Sequence, residues 1–171
     1  MTSTEKLIGF TLGDTPDHSG RLIHGVWAFS DSLLETTHDY IQWLFPIPES
    51  NEVNQFAPVL TDEARIFFRG SDTLRAQQEK SLNRMLIFLG LEKQRGAFVA
   101  ALDINAQQHR WLNRFDHNHR RITRMIRSLD LCGQPERAKK LRTAVIEVGK
   151  RHGDVPEGVM DFWRQATDRS Q

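Results

Sequence analysis

The amino-acid sequence predicts an all-α fold, a single compact bundle of six to seven helices with an irregular N-terminal arm. Three observations carry that expectation. Apolar residues recur at helical spacing beyond residue 30, as in Leu74, Leu82, Met85, Leu86 and Leu89, or Ile122, Met125, Ile126 and Leu129. Hydroxyl caps at Ser30, Thr61 and Ser71 open these stripes, and Gly90, Gly133 and Gly153 close them. No strand-like alternation and no internal repeat stands out.

Residues 1–29 read as the arm and residues 30–167 as the helical domain. The arm is rich in Gly, Asp, Ser and Thr, including Gly13 to Gly20, which is turn chemistry rather than a helix. Its Leu22, Ile23, Val26, Trp27 and Phe29 are expected to dock on the body, since an unsupported tail rarely exposes such residues. A helix then runs from a cap at Ser30 or Asp31 to about Phe45, where Pro46 stops it. On its wheel Leu33, Leu34, Ile41, Leu44 and Phe45 share one side, and Glu35, His38, Asp39 and Gln42 the other. Residues 46–60 form a proline-bearing loop whose Val53, Phe56 and Val59 look buried.

Thr61-Asp62-Glu63 starts a short helix, with a hydroxyl cap and carboxylates at the positive end of the dipole. The next helix runs from Ser71-Asp72 to Leu89. Residues 91–104 are ambiguous, with a helical piece around Ala97 to Leu102 as one reading, and His109 to Phe115 reads as a loop or short turn. Helices follow over 117–132, from Pro135 to about Gly153, and from about Pro156, where Val159, Phe162 or Trp163, and Ala166 would dock.

The chain of 171 residues with 39% hydrophobic content suits one domain with a sizeable core. The single Cys132 excludes an internal disulfide and a cysteine-rich zinc site, and its place beside an apolar stripe reads as a buried inert thiol. No apolar stretch approaches the ~20 residues of a membrane span, and no signal pattern opens the chain, so cytoplasmic residence is the expectation. Charge is uneven. Residues 1–70 hold 4 Lys and Arg against 10 Asp and Glu, a net −6, and the remainder holds 19 against 12, a net +7. Folding of the acidic part on the basic part is the simpler reading, and an anionic partner is the other.

The run His38-Asp39-Tyr40-Ile41-Gln42-Trp43-Leu44-Phe45-Pro46 crowds acid, base, amide and aromatic groups into one short stretch. It resembles the signature of the opioid growth factor receptor conserved region. The likeness continues through Asn54, Ala57-Pro58, Leu60-Thr61 and Glu63, resumes at Met85 to Leu91, and returns at His117-Asn118-His119-Arg120-Arg121-Ile122-Thr123-Arg124 and Ser128-Leu129. The resemblance implies a helical domain. Vertebrate members are known as receptors for the pentapeptide opioid growth factor and carry a long repeat-bearing tail; this chain reads as a short stand-alone member without it. No catalytic residues are assigned to that region, so the resemblance implies a shape and no mechanism.

The 117–132 helix has a second stripe of His117, Arg121, Arg124 and Ser128, and Asn118 points into its apolar side. A buried amide without partners costs about 1–3 kcal/mol, so Asn118 should bond something specific. In one reading Arg121 and Arg124 hold a carboxylate or phosphate while His117 and Asn118 add hydrogen bonds. In the other the arginines pair with Glu35 and Asp39 in an internal network, and the two readings can coexist. The expected activity is therefore binding of a small molecule or a peptide, anionic in the carboxylate-capture version. The expected polar pocket lies between the 30–45 and 117–132 helices. Glu35, His38, Asp39, Gln42, His117, Asn118, Arg121 and Arg124 would line it, with Trp43 and Trp111 as apolar walls.

Other chemistries have weaker signals. Glu35-x-x-His38 has di-iron spacing but occurs once, and His117 and His119 stand about 200° apart on a helix. A mononuclear site from His38, Asp39 and His117 is the remaining metal option, and the expected reading has no metal and no cofactor. No nucleophile elbow or phosphate-cradling loop occurs, so an enzyme would rest on His38, Asp39 and His117. The basic face of residues 110–142, with Trp111 and Phe115 among arginines, gives the nucleic-acid alternative. We expect no measurable binding to mixed-sequence DNA or RNA at near-physiological salt. Micromolar affinity that weakens with salt, and disappears when Arg120, Arg127, Lys139 and Lys140 are reversed in charge, would move function to that face.

Overall fold

In the computed structural model, which describes residues 1–50 and 52–167, the chain opens with a helix where the sequence suggested turns. Helix α1 (Ser3–Leu12) is set by a capping box: Thr2 Oγ1 accepts the Glu5 N–H, and Glu5 Oε2 accepts the Thr2 N–H at 2.7 Å. Gly13, at φ +89°, closes it, so the turn chemistry begins one helix later than expected. The arm also contains α2 (Ile23–Trp27). Ile23 and Val26 are buried as expected, whereas Leu22 is 44% exposed. Arg84 donates to the Trp27 and Phe29 carbonyls and pairs with Asp31 at 2.8 Å, which ties the end of the arm to a helix.

The expected continuous helix over 30–45 is two short ones, α3 (Asp31–Thr36) and α4 (Ile41–Leu44). Ser30 caps α3 as the sequence indicated, through its hydroxyl and the Leu33 N–H. Two adjacent β-branched residues, Thr36 and Thr37, end it, with Thr37 in extended backbone. The Tyr40 hydroxyl donates to the Leu34 carbonyl at 2.8 Å, taking up an acceptor that a longer helix would have used internally. The polar side chains of this stretch therefore do not form one helical stripe, and Leu33 is 43% exposed.

Helices α5 (Asp62–Gly70) and α6 (Asp72–Leu89) fall where the signals put them. In the preceding loop Leu60 N–H bonds the Ile47 carbonyl, and Pro58 and Leu60 take the buried places. Val53 and Phe56, expected inside, are 98% and 69% exposed at the loop tip. Residues 91–104 contain no helix. They form an antiparallel hairpin, β1 (Leu91–Gln94) and β2 (Ala97–Ala100), in register Leu91 to Ala100. Its two-residue turn needs positive φ at both positions, met by Arg95 (51°) and Gly96 (81°). Strands of four residues are too short for alternation to show. A 3-10 turn (Arg110–Leu112) precedes α7 (Asn118–Leu131), α8 (Pro135–His152) and α9 (Glu157–Gln165). Trp163, not Phe162, is the buried aromatic of α9.

The described residues thus hold nine α-helices and one small hairpin, mostly helical as predicted. None of the helices is long and apolar enough to cross a membrane. The chain divides into two compact units, Met1–Arg84 with Leu131–Gly133, and Met85–Asp130 with the chain from Gln134 on. In the first, α1 packs on α2, α4 and α5, burying Leu7 and Phe10 completely. In the second, α8 packs on β2 and α9. Cys132 is fully buried in the first unit.

Thr61 links capping to packing, since its hydroxyl accepts the Ala64 N–H and also meets Thr4 Oγ1 of α1 at 2.7 Å. Thr61→Ala should lower stability by about 1–2 kcal/mol, read as a urea midpoint shift at constant slope, and Thr61→Ser should restore most of it. An unchanged midpoint for the alanine variant would contradict this role.

Candidate functional site

Asp17 organises the loop that follows α1. Its Oδ1 accepts the Ser19 and Arg21 backbone N–H groups, each at 2.9 Å, and its Oδ2 accepts Arg21 Nε at 2.7 Å. Gly20 adopts φ +78° in this turn. The guanidinium of Arg21 then reaches the break between α3 and α4. Its Nη1 donates to Asp39 Oδ1 at 2.9 Å and its Nη2 to the Asp39 carbonyl at 3.2 Å.

His18 stands between Asp39 and Trp43. The Trp43 indole N–H, which can only donate, meets His18 Nδ1 at 3.1 Å. Nδ1 is therefore an acceptor, and the hydrogen on Nε2 goes to Asp39 Oδ2 at 2.9 Å. The bond joins the edges of two rings whose planes are nearly parallel, with 13° between them and centroids 6.1 Å apart. They form one extended aromatic plate. Phe56 lies parallel to the His18 part of it, 5.2 Å away and tilted by 4°, and Phe10 packs against Trp43 at 5.1 Å.

Two adjoining clefts open at this plate and share His18, Asn54, Gln55 and Phe56. One, of about 720 Å³, also has Ser19, His38 and Asp39 on its walls. The other, of about 780 Å³, has Lys6 and Trp43. Both volumes lie in the range of small-ligand sites. Burial works against the Asp39 carboxylate, but hydrogen bonds from Arg21 and His18, together with the charge of Arg21, outweigh it and hold its pKa below the ordinary value.

The expected site residues divide between the units. In the first, Asp39 and Trp43 meet through His18, and the Gln42 side chain donates to the His38 carbonyl at 3.1 Å. Gln42 is buried, His38 is exposed, and Glu35 is half-buried on α3. In the second, Asn118 and Arg121 are buried and joined, Arg121 Nη1 donating to Asn118 Oδ1 at 3.2 Å, and Arg124 is half-buried. Asn118 thus has a specific partner, as its burial demanded. His117 Nδ1 is 3.6 Å from Asp116 Oδ1. Trp111 is a core residue, 1% exposed, with its indole N–H on the Leu89 carbonyl and its ring edge-on to Trp163. His119 bonds the Trp111 carbonyl at 2.7 Å, so it is turned inward.

His18, Arg21 and Phe56 were not among the expected site residues. The readable signal was Asp17-His18-Ser19-Gly20-Arg21, a turn in which Asp accepts backbone N–H groups further along the chain.

Because the folded pKa of Asp39 lies below its unfolded one, its contribution to stability is full above the ordinary carboxylate pKa. That contribution is lost as pH falls through the lowered value. Wild type should therefore lose more stability on acidification across that window than Asp39→Asn, as read by urea unfolding at stepped pH. Parallel curves would sink this assignment.

A family profile described as the opioid growth factor receptor (OGFr) conserved region matches residues 17–171, so its span begins at the loop that carries His18. Among curated proteins, the chain is 36% identical over 110 residues to the mouse opioid growth factor receptor, covering 63% of this chain and 17% of that protein. It is 36% identical over 109 residues to the human one, covering 63% and 16%. Against the Xenopus tropicalis opioid growth factor receptor-like protein 1 it is 32% identical over 108 residues, covering 63% and 21%. The chain therefore spans between 16% and 21% of the length of these relatives. No solved structure matches.

Proposed function

The chain belongs to the opioid growth factor receptor conserved-region family, and we propose that it is a binding module for a short peptide or small molecule, taken up in the paired clefts around His18. The observation that carries this reading is the aromatic plate between two clefts, one with Asp39 on its wall and the other with Lys6, where the second acidic residue, Asp17, is buried and paired with Arg21. Asn54 and Gln55, shared by both clefts, supply amide groups for a backbone. Phe56 and Val53, largely exposed, offer apolar surface that a ligand would cover. An extended peptide carries opposite charges at its two ends and amides between them, which matches this arrangement.

Of the residues expected from sequence, this reading uses His38, Asp39 and Trp43, with Gln42 holding the His38 backbone. Trp111, Asn118 and Arg121 are assigned to the interior of the second unit. The names of the relatives, receptors for opioid growth factor, supply the first probe.

The test is a titration with the opioid growth factor pentapeptide, followed by NMR at the Trp43 indole N–H, which reports directly on the His18 contact. The signal should shift with saturation. Phe56→Ala should weaken binding about fivefold or more, the loss expected for an aromatic contact that matters. A Trp43 resonance unmoved at millimolar peptide would sink the reading, as would wild-type affinity in Phe56→Ala.

A further inference from the structure

The Asp39 cleft has a charge imbalance that its hydrogen bonds do not remove. Asp17 and Asp39 share a single guanidinium, Arg21. His18, with Nδ1 accepting from Trp43, carries one ring hydrogen and adds no positive charge. Across these four side chains the sum is one negative charge. The Asp17 side chain is fully buried and accepts three donors, whereas the Asp39 side chain is 36% exposed. The excess is therefore presented at Asp39. Among the described residues lining that cleft, Asp39 is the one member of the Asp, Glu, Lys and Arg set.

We propose that this cleft is an ammonium subsite, in which the open edge of Asp39 receives a protonated amine beside the parallel His18 and Phe56 rings. The inference rests on the cleft reading above and adds the orientation of the ligand. The geometry favours a soft organic cation over the alternatives. An aromatic face attracts a cation through its quadrupole, and Phe56 lies parallel to His18 at 5.2 Å within the same wall. A hard metal ion wants six or more oxygen ligands or an octahedral water shell, and one half-exposed carboxylate does not supply them. An anion would meet the excess negative charge directly. The amine could be a peptide N-terminus, a lysine side chain, or a small free amine; the shared chemistry is the ammonium group.

The experiment compares three peptides by calorimetry on the full chain: the opioid growth factor pentapeptide, its N-acetylated form, and an N-acetylated form with lysine in the first position. Acetylation should weaken binding to wild type about threefold to fivefold, the size of a half-exposed ion pair. Recovery with the lysine peptide would show that a side-chain ammonium serves, and no recovery would restrict the subsite to an N-terminus; either outcome supports the subsite. In Asp39→Asn the difference between free and acetylated peptide should vanish.

Since Asp39 also binds Arg21 and His18, a second pair of variants leaves the cluster intact. Gln55 also meets the ligand backbone, so the readout is the ratio of the two affinities: Gln55→Lys should weaken the free peptide more than the acetylated one, and Gln55→Glu should widen the preference for the free peptide. Equal affinity of free and acetylated peptide for wild type overturns the ammonium subsite and leaves the cleft reading standing. Failure of all three peptides to bind overturns both.

Discussion

One half-buried carboxylate sets the architecture of the site. Asp39 sits where the chain leaves α3 and has not yet entered α4, and a carboxylate there must find donors or lose stability. It finds them in Arg21 and His18, about twenty residues earlier in the chain. Arg21 suits the task because its planar fork can serve Asp17 with Nε while its two Nη groups hold the Asp39 side chain and backbone. Once that latch closes, the 17–21 loop is fixed against the α3–α4 break. His18 is brought to Asp39, and Trp43, one helical turn further on, finds the other nitrogen of His18. The aromatic plate, and with it the walls of both clefts, follows from that single requirement for partners.

This dependence explains which parts of the site could be read from sequence. Asp39 and Trp43 stood out because they share one short run with His38 and Gln42. Their partners did not, since the register between a turn at 17–21 and a break at 37–40 is a tertiary fact that no local spacing records. Phe56 misled for a related reason. A large apolar side chain is usually buried, but here the loop is closed lower down by Pro58 and Leu60, and Phe56 is left to meet His18 at the surface. The fold was more legible because its signals are local. The caps at Ser30 and Thr61, the glycine stops and the apolar stripes of α6, α7 and α8 all hold. The misses are also local signals, given the wrong weight. Thr2-Ser3-Thr4-Glu5 forms a capping box just before a run of turn residues, and the paired Thr36-Thr37 ends α3 well short of Pro46.

The second unit shows the same groups used for cohesion. Trp111 gives its N–H to the Leu89 carbonyl, Trp163 gives its own to the His119 carbonyl, and His119 is bonded in turn to the Trp111 carbonyl. These partners are backbone carbonyls, and the two tryptophans are buried to within 1% of their surface. In the first unit the histidine and tryptophan bond each other and a carboxylate, and the plate they make faces a cleft. Residue type does not separate the two cases. The difference lies in what the rings are tied to: backbone carbonyls in the second unit, and in the first the part-exposed Asp39 carboxylate, which His18 meets while Trp43 behind it stays buried at 5% exposure.

The Asp39–His18 pair has the outline of a general-base couple, with a carboxylate on one ring nitrogen and a cleft beside the other. Trp43 changes its meaning. A general base needs a nitrogen lone pair directed at the proton it will take, within about 2.6–3.2 Å. The lone pair on His18 Nδ1 is directed at the Trp43 indole N–H, and Nε2 already carries a hydrogen held by Asp39. To act on a substrate the ring would have to abandon one of these bonds and its alignment with Trp43. Held as it is, His18 contributes a flat, fixed face and no charge of its own, so Arg21 alone is shared between the Asp17 and Asp39 carboxylates.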